Sequence, residues 1–257
     1  MNPVSTTIRF EIRDDVAYLT LASPPLNVLS GAMMDEISNA LEVVAGDATL
    51  KALAIDAEGK AFSAGADVGE HRPEQAAGMI AAFSRMFRGF EALELPVVMA
   101  VDGAALGAGF ELVQMADLLI ASEHATFGQP EIRLGFFAPV GVARLPALVG
   151  RARAMEITCS GKSYTAEQMR TFGLVSQVVA SEQLGDLVEK SLGTFRRASP
   201  LVMRMNVRVL KSLLGKDFET ARVEAERIFL EELMATEDVR EGIASFFEKR
   251  RPAWKNR

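Results

Sequence analysis

The feature that most constrains the fold is a change of pattern along the chain. Up to about residue 190, short apolar segments typical of strands alternate with longer segments whose apolar residues recur at helical spacing. Residues 7–21 predict a hairpin, and residues 50–55 and 97–101 predict buried strands. From about Leu192 onward only helical patterns remain. Strands that alternate with helices, followed by helices alone, predict an α/β core and a helical C-terminal region.

We expect the core, which would hold the active site, to cover residues 1–195 and the helical unit to cover residues 196–257. Ser199-Pro200 is a typical helix start. The three amphipathic patterns that follow cover residues 201–214, 219–234 and 239–249. A unit of roughly sixty residues is too small to bury three apolar faces by itself. We therefore expect it to pack on the core or on another subunit.

The composition argues against several classes of protein, including membrane-spanning, zinc-binding and nucleic-acid-binding proteins. The chain has no run of the roughly 18 apolar residues that a membrane-spanning helix needs, and its polar start, residues 1–12, is unlike a signal peptide. A single cysteine, Cys159, and two histidines, His71 and His124, argue against an intramolecular disulfide and a zinc site. The net charge of −6 argues against non-specific nucleic-acid binding. We expect a cytoplasmic protein without metal, nucleic-acid or membrane partners.

Two segments rich in small residues predict places where a ligand meets the main chain. They read A-F-S-A-G-A-D-V at residues 61–68 and V-D-G-A-A-L-G-A-G-F-E at residues 101–111. Exposed N–H groups in a turn, or at the helix start that we expect over residues 103–109, can hold an anion or a developing oxyanion. The glycine spacing matches neither the dinucleotide-binding fingerprint nor a P-loop. An ordinary loop before a helix is the alternative for the first segment.

Two glutamates lie among apolar residues, where an ionised side chain is costly without a partner or a role. Glu111 ends the second segment, and Glu131 follows Pro130 in the segment F-G-Q-P-E-I-R-L-G at residues 127–135. Burial raises the pKa of a carboxyl group, so one member of such a pair can be protonated while the other is ionised. The pair is suited to general acid–base work on a carbon and a water. A salt-bridged structural role is the alternative for Glu111.

In this order, the three segments resemble the motifs of the crotonase family, the enoyl-CoA hydratases and isomerases. The resemblance runs from the N-terminal hairpin to F-E-K-R at residues 247–250. It implies a crotonase-like α/β spiral of strand-strand-helix (ββα) units with a C-terminal α-helical trimerisation region, assembled as trimers or hexamers. It also implies an acyl-CoA thioester substrate, so coenzyme A is part of the substrate and no further cofactor is expected.

The resemblance also implies roles for individual residues. The N–H groups of Ala66 and Ala108 would hold the thioester oxygen as it becomes an enolate. Glu111 and Glu131 would carry the acid–base steps, with Glu131 as the proton donor; hydratases of the family have both glutamates, whereas many isomerases keep only the second. The other residues expected to contact the substrate or coenzyme A are Leu26, Ala64, Asp67, His71, Gly107, Phe136, Pro139, Phe246 and Lys249.

For some of these residues the resemblance implies a more specific contact. Ala64 would meet the adenine through main-chain atoms, and Phe246 and Lys249 would reach coenzyme A bound to a neighbouring subunit. Asp67 is also suited to cap a helix, which is the simpler role for it. A hydrogen-bonded structural histidine is the alternative for His71.

One departure from the family pattern bears on the substrate. Where the family often reads G-x-x-P-G-x-G, this chain reads G-F-F-A-P-V-G at residues 135–141, and Pro139 has no N–H to offer a water or an acyl group. This loop, with E-H-R-P at 70–73 and E-E-L-M at 231–234, resembles the cyclohexa-1,5-diene-1-carbonyl-CoA hydratases of anaerobic benzoyl-CoA degradation. Phe136 and Phe137 would then enclose a flat ring, with core packing as the alternative role for at least one of them. A generic 2-enoyl-CoA hydratase, an enoyl-CoA isomerase and a non-catalytic acyl-CoA-binding protein are the alternatives.

Overall fold

A computed structural model describes residues 7–257, so the first half of the polar N-terminal segment, residues 1–6, lies outside the described residues. The chain enters through the predicted hairpin of β1 (Ile8–Arg13) and β2 (Val16–Leu21), which pair antiparallel. Helix α1 (Gly31–Gly46) follows, and the Ser30 side chain caps it by accepting a hydrogen bond from the Met33 N–H.

The rest of the core is built from short strands and helices. In chain order these are β3 (Ala52–Ala57), β4 (Ala61–Ser63), α2 (Ala76–Ala92), β5 (Val97–Val101), β6 (Ala104–Leu106), α3 (Ala108–Val113), β7 (Leu118–Ser122), β8 (Thr126–Gly128), α4 (Pro139–Val149), α5 (Arg151–Ser160), β9 (Ser163–Thr165), α6 (Ala166–Thr171), β10 (Gln177–Val179) and α7 (Leu184–Phe195). Two 3₁₀ helices, Val68–His71 and Pro130–Leu134, precede α2 and α4.

These elements repeat one unit. β3, β5 and β7 lie in a six-stranded sheet of order β1-β2-β3-β5-β7-β10, and each is followed by a short strand of a second sheet of order β4-β6-β8-β9. A helix then returns the chain to the next unit. The expected α/β spiral of ββα units is therefore present.

Both faces of the large sheet are covered at its centre, which explains why a central strand such as β5 is apolar along its whole length. All five residues of β5 are buried. Val97 and Met99 face the main core, whereas Val98 and Ala100 face the opposite side, where they pack with residues of α7. The central strands are thus held rigidly, and the turns at their ends are where the site is built.

The second sheet corrects the prediction for residues 103–109. They do not form one helix opening, because Ala104–Leu106 is strand β6 and helix α3 begins only at Ala108. Gly103 makes the turn between the sheets at φ +76°, and a Cβ at this position would lie 2.4 Å from the Lys60 carbonyl oxygen. The strand predicted at residues 50–55 is also shifted, because β3 ends at Ala57, two residues later.

The helical pattern after residue 196 forms α8 (Pro200–Leu213), α9 (Phe218–Glu231) and α10 (Glu237–Phe247). α8 packs on the core: the Lys211 Nζ donates to carbonyl oxygens at the C-terminal end of α2, including that of Phe90 at 3.2 Å, an arrangement that the helix dipole favours. No helix within residues 7–257 is both long and apolar enough to cross a membrane.

Candidate active site

A cavity of about 600 Å³ opens where the ββα units end. It is lined by residues from the loop after β4, the start of α3, the 3₁₀ helix before α4 and one face of α2. The sequence-predicted residues that it brings together are Ala64, Ala66, His71, Gly107, Ala108, Glu111, Glu131, Phe136 and Pro139. Segments separated by up to 75 positions thus meet at one site.

Glycines allow the two segments rich in small residues to touch. Gly65 adopts φ +104°, and a Cβ there would lie 2.9 Å from the Leu106 carbonyl oxygen and 3.5 Å from the Ala108 nitrogen. A Cβ at Gly109 would lie 2.6 Å from the Ser63 carbonyl oxygen. Because a side chain at either glycine would force the segments apart, this close approach brings Ala66 and Ala108 to the same end of the cavity.

The N–H groups of Ala66 and Ala108 are available to a ligand. The flanking main chain is held by hydrogen bonds from the Ala64 N–H to the Leu26 carbonyl and from the Leu29 N–H to the Gly65 carbonyl, each 2.9 Å. Among residues 7–257, neither the Ala66 nor the Ala108 N–H has a hydrogen-bond acceptor. Ala108 is the first residue of α3, where a helix leaves its N–H groups unpaired. Two such donors can hold an oxygen that gains negative charge.

Glu111 is almost completely buried, with 2% of its surface exposed, yet it lines the cavity. Its Oε1 accepts hydrogen bonds from the N–H groups of Val140 and Gly141, at 2.7 and 2.9 Å, in the first turn of α4. Burial raises the pKa of Glu111 to about 8; the Gly141 N–H opposes this shift, and the negative charge of Glu131 adds to it. This shift favours the protonated form of Glu111.

Glu131 lies in the first turn of the 3₁₀ helix Pro130–Leu134 and faces the second glycine-rich segment. A Cβ at Gly107 would lie 3.7 Å from the Glu131 Oε2. Burial raises the pKa of Glu131 as well, although less of this side chain is covered, and the positive charge of a protonated His71 would lower it. The two carboxyl groups thus share one cavity and influence each other's charge.

His71 stands beside Glu131 on the cavity wall. Its Nδ1 lies 2.9 Å from the Asp67 carbonyl oxygen, and its ring centroid lies 4.9 Å from that of Phe136. A neutral imidazole that donates from Nδ1 to this carbonyl leaves its Nε2 as a hydrogen-bond acceptor. The Asp67 side chain caps the 3₁₀ helix by accepting from the Gly69 N–H at 2.7 Å, which is the capping role expected for it.

Four of the residues expected to bind substrate or coenzyme A do not line this cavity in the described part of the chain. They are Leu26, Asp67, Phe246 and Lys249. Leu26 and Phe246 are 48% and 78% exposed, and Lys249 follows α10 at the far C-terminal end of the chain. Their proposed contacts with coenzyme A, within one subunit or between two, stay predictions.

Pro139 is the first residue of α4 and lines the cavity. It contributes no N–H, and the next two N–H groups are both taken by Glu111. The start of α4 therefore supports the carboxyl group of Glu111 and has no donor left at these positions for a ligand.

Sequence reasoning missed part of the site. Met79, Ile80 and Phe83 of α2 form an apolar wall, which their helical pattern alone could not distinguish from core packing. Gln129 was also overlooked, although a polar residue between Gly128 and Pro130 in an apolar segment is a signal in itself. Its side chain is 1% exposed, and its amide contacts the Glu131 carboxyl group.

Comparisons with known proteins agree with this geometry. The family model for enoyl-CoA hydratase/isomerase matches residues 11–257. The chain is 36% identical to the cyclohexa-1,5-dienecarbonyl-CoA hydratase of Thauera aromatica over 100% of both chains. It is 34% identical to the 2,3-dehydroadipyl-CoA hydratase of Escherichia coli over 94% of this chain and 96% of that one. The crystal structure of an enoyl-CoA hydratase from Mycobacterium smegmatis superposes with a TM-score of 0.90 at 30% identity, covering 97% of this chain and 99% of the other.

Proposed function

The chain belongs to the enoyl-CoA hydratase/isomerase family, and from that premise we propose that it adds water to cyclohexa-1,5-diene-1-carbonyl-CoA in anaerobic benzoyl-CoA degradation. Its relatives are named as hydratases of several acyl-CoA thioesters, so the general activity is that of a carbon–oxygen lyase. The cyclic dienoyl substrate is supported by the similarity to the Thauera aromatica enzyme over the whole length of both chains.

The observation that carries the proposal is the meeting of two carboxyl groups and two unpaired N–H groups in one cavity. Glu111 and Glu131 supply a protonated and an ionisable carboxyl group. Ala66 and Ala108 supply donors for an oxygen. Addition of water to an unsaturated thioester needs a base for the water, an acid for the carbon and donors for the thioester oxygen. A non-catalytic binding protein has no need of one buried and one half-buried carboxyl group in the same cavity.

The proposed reaction is a 1,4-addition. The oxygen of water bonds to the ring carbon β to the thioester, and the electron pair of that double bond moves toward the thioester oxygen. The resulting dienolate is held by the N–H groups of Ala66 and Ala108. A proton then joins the far end of the conjugated system, which yields 6-hydroxycyclohex-1-ene-1-carbonyl-CoA. No redox or metal cofactor is part of the proposal, because the thioester itself accepts the electron pair.

The two carboxyl groups divide the proton transfers. Burial makes Glu111 the protonated member in the free protein, so Glu131 is the member available to accept a proton from water. The resemblance to the crotonase family instead implies that Glu131 is the proton donor. That assignment requires the proton of Glu111 to pass to Glu131, which a water bound between the two carboxyl groups would allow.

The walls of the cavity suit a flat ring. Phe83 is buried on one side, and Phe136 and Pro139 lie on the side of the loop that departs from the family pattern. A rigid cyclic acyl group loses little rotational freedom when it binds between such walls. A straight acyl chain loses more, and the proline provides no N–H that would hold it in place.

The test compares two thioesters. The cyclic dienoyl-CoA should be hydrated with a kcat/KM at least about tenfold above that of crotonyl-CoA, which corresponds to about 1.4 kcal/mol in transition-state stabilisation. In heavy water, deuterium should appear at the ring carbon para to the one that receives the hydroxyl. A preference for crotonyl-CoA, or deuterium at the α carbon, would instead identify a generic 2-enoyl-CoA hydratase.

We also propose that the protein self-associates as a trimer or hexamer through its C-terminal helices. Large apolar side chains of this region are exposed in the single chain, among them Leu210, Leu230, Ile243 and Phe246, and clusters of this kind mark association surfaces. A mass of 27.8 kDa, that of one chain, measured by light scattering at micromolar concentration would contradict this. The cytoplasmic location stays a prediction from the sequence.

A further inference from the structure

His71 is a third side chain in the cavity that can exchange a proton near neutral pH. Among residues 7–257, four ionisable side chains line the cavity. That of Arg133 stays charged, which leaves His71, Glu111 and Glu131 as proton carriers. The proposed reaction uses the two glutamates and gives the histidine no part. His71 is therefore an acid–base group of the cavity whose chemistry is still unassigned.

Two contacts fix the main chain that carries His71. The Glu70 carboxyl oxygens accept from the Gly31 N–H at 3.2 and 3.1 Å, at the start of α1, where the helix dipole favours a negative charge. The Asp67 side chain accepts from the Gly69 N–H at 2.7 Å and caps the 3₁₀ helix that ends at His71. The imidazole thus extends from a segment that is held in place before any ligand binds.

The imidazole ring of His71 is held in one tautomer. Its Nδ1 lies 2.9 Å from the Asp67 carbonyl oxygen, and because a carbonyl oxygen only accepts, the hydrogen of the neutral ring is on Nδ1. The Phe136 ring packs against it at an interplanar angle of 54°. Among residues 7–257, the Nε2 atom has no hydrogen-bond partner. A ring on the cavity wall therefore has a free lone pair that can take up and return a proton.

Glu131 is the neighbour with which His71 can exchange that proton. Burial raises the pKa of both glutamates; in addition, the negative charge of Glu131 raises the pKa of Glu111, and the positive charge of a protonated His71 lowers the pKa of Glu131. Charges act in this way only over short distances. Glu131 thus has a proton-carrying neighbour on each side, the buried Glu111 and the imidazole of His71.

The proposed 1,4-addition needs a proton at a place that simple hydration does not. When crotonyl-CoA takes up water, the hydroxyl group and the proton go to adjacent carbons. In the cyclic dienoyl thioester they go to carbons on opposite sides of the ring. A general acid must come within hydrogen-bond reach of the atom that it protonates. Carboxyl groups that meet the attacking water at one carbon are poorly placed for the para carbon, so a further proton carrier on the wall is of use there.

We propose that His71 is a catalytic residue that carries a proton from Glu131 to the far carbon of the dienolate. The proposal rests on the proposed function. The oxygen of water bonds to the β carbon, and a proton of that water passes to the Glu131 carboxylate. The lone pair of the His71 Nε2 takes this proton, while Nδ1 keeps its hydrogen on the Asp67 carbonyl. The electron pair at the para carbon then takes the proton from Nε2, which leaves Glu131 ionised and His71 neutral, as they began.

The experiment separates proton transfer at this carbon from the addition of water. Cyclohex-1-ene-1-carbonyl-CoA is the proposed product without its hydroxyl group, and loss of a γ hydrogen converts it to a dienolate of the same kind. In heavy water the unmodified protein should introduce deuterium at the γ carbon, which mass spectrometry and NMR detect. His71→Gln keeps a donor for the Asp67 carbonyl but cannot carry a proton, so exchange should be at least about 10²-fold slower.

The other histidine of the chain provides the matched control. His124 is exposed, with its Nε2 3.5 Å from the Glu123 Oε1, and it is not among the residues in 7–257 that line the cavity. His124→Gln should therefore exchange deuterium at the unmodified rate.

Hydration of two thioesters gives a second measurement. His71→Gln should lower kcat for the cyclic dienoyl-CoA by at least about 10²-fold, the usual effect of losing a positioned acid or base. The same variant should change kcat for crotonyl-CoA by less than about threefold, because addition to adjacent carbons does not use the far proton carrier.

His71→Ala distinguishes a chemical role from a structural one. Removal of the ring leaves space beside Phe136 in which free imidazole can carry the proton. Added imidazole should therefore raise the exchange rate of this variant at least about tenfold. A side chain that only supported Phe136 would not be replaced in this way by a proton carrier in solution.

Deuterium exchange that is equal in His71→Gln and the unmodified protein, or absent from both, would overturn the proposal. Equal losses of kcat with the two thioesters would overturn it as well. If His71→Gln does not fold, His71→Ala decides, and a rate that imidazole fails to raise counts against the proposal. The proposed function fails separately: if the unmodified protein prefers crotonyl-CoA to the cyclic dienoyl-CoA, the exchange reaction still decides whether His71 moves a proton at the γ carbon.

Discussion

The inner end of the cavity and its outer wall are built by different means. At the inner end, Ala66, Ala108 and the residues that hold Glu111 act through main-chain N–H groups. The outer wall near Glu131 is made of side chains, and its residues are more exposed, with Phe136 at 38%. Main-chain groups keep their positions when side chains change, whereas a wall of side chains can be altered one residue at a time. The inner end therefore suits the chemistry common to the family, and the outer wall suits the choice of acyl group.

The largest effect is expected from removing one N–H at the inner end. Ala108→Pro changes the first residue of α3, a position where a helix tolerates proline, and deletes the N–H proposed to hold the thioester oxygen. Loss of one such donor lowers turnover by about 10²–10³-fold. We expect a fall in kcat/KM at the upper end of that range, because the proline ring also occupies the place of the lost hydrogen.

Phe218→Pro provides the control for this change. It introduces proline at the first position of α9, outside the residues that line the cavity, and the preceding Asp217 already has extended backbone. This variant should keep its turnover, and circular dichroism of both variants should match the unmodified protein. An active Ala108→Pro variant with unchanged thioester turnover would mean that Ala108 is not an oxyanion donor.

A smaller loss is expected from each carboxyl group. Glu111→Gln and Glu131→Gln should each reduce kcat by at least about 10²-fold, the usual effect of losing a positioned acid or base. Binding of the thioester, measured by calorimetry with a non-reactive saturated acyl-CoA, should be retained because the main-chain donors stay in place. If only one variant lost activity, the glutamate changed in the other variant would have a structural role. The mechanism with two acid–base glutamates would then be wrong.

The features that could be predicted from the sequence are those encoded by neighbouring residues, whereas the features that depend on distant segments could not be predicted. A strand such as β5 is encoded by a local apolar pattern, and it was predicted correctly. The three-residue strand β6 was missed, because three residues show no periodicity and only the neighbouring strands β4 and β8 define it. Glu111 could be recognised as a buried carboxylate, but its partners Val140 and Gly141 could not, since nothing local indicates which N–H groups will face it.

The smallest expected effect is on the free energy of unfolding, and it distinguishes Glu111 from Glu131 without an activity assay. Burial raises the pKa of Glu111 from 4.5 to about 8 in the folded protein. Between these values the folded chain binds more protons than the unfolded chain, so the contribution of Glu111 to stability falls as pH rises. In Glu111→Gln the amide oxygen can still accept from the Val140 and Gly141 N–H groups, while the ionisable group is gone.

Glu111→Gln should therefore gain stability relative to the unmodified protein as pH rises, by about 2 kcal/mol between pH 6 and pH 8, since one pKa unit corresponds to about 1.4 kcal/mol. Urea unfolding at both pH values measures this difference. Glu131→Gln should show a weaker dependence in the same direction, because the pKa of Glu131 is also raised but its side chain is less completely buried. Parallel curves of unfolding free energy against pH for Glu111→Gln and the unmodified protein would show that Glu111 is ionised in the folded state. Glu111 would then start the reaction as a base and not as a proton donor.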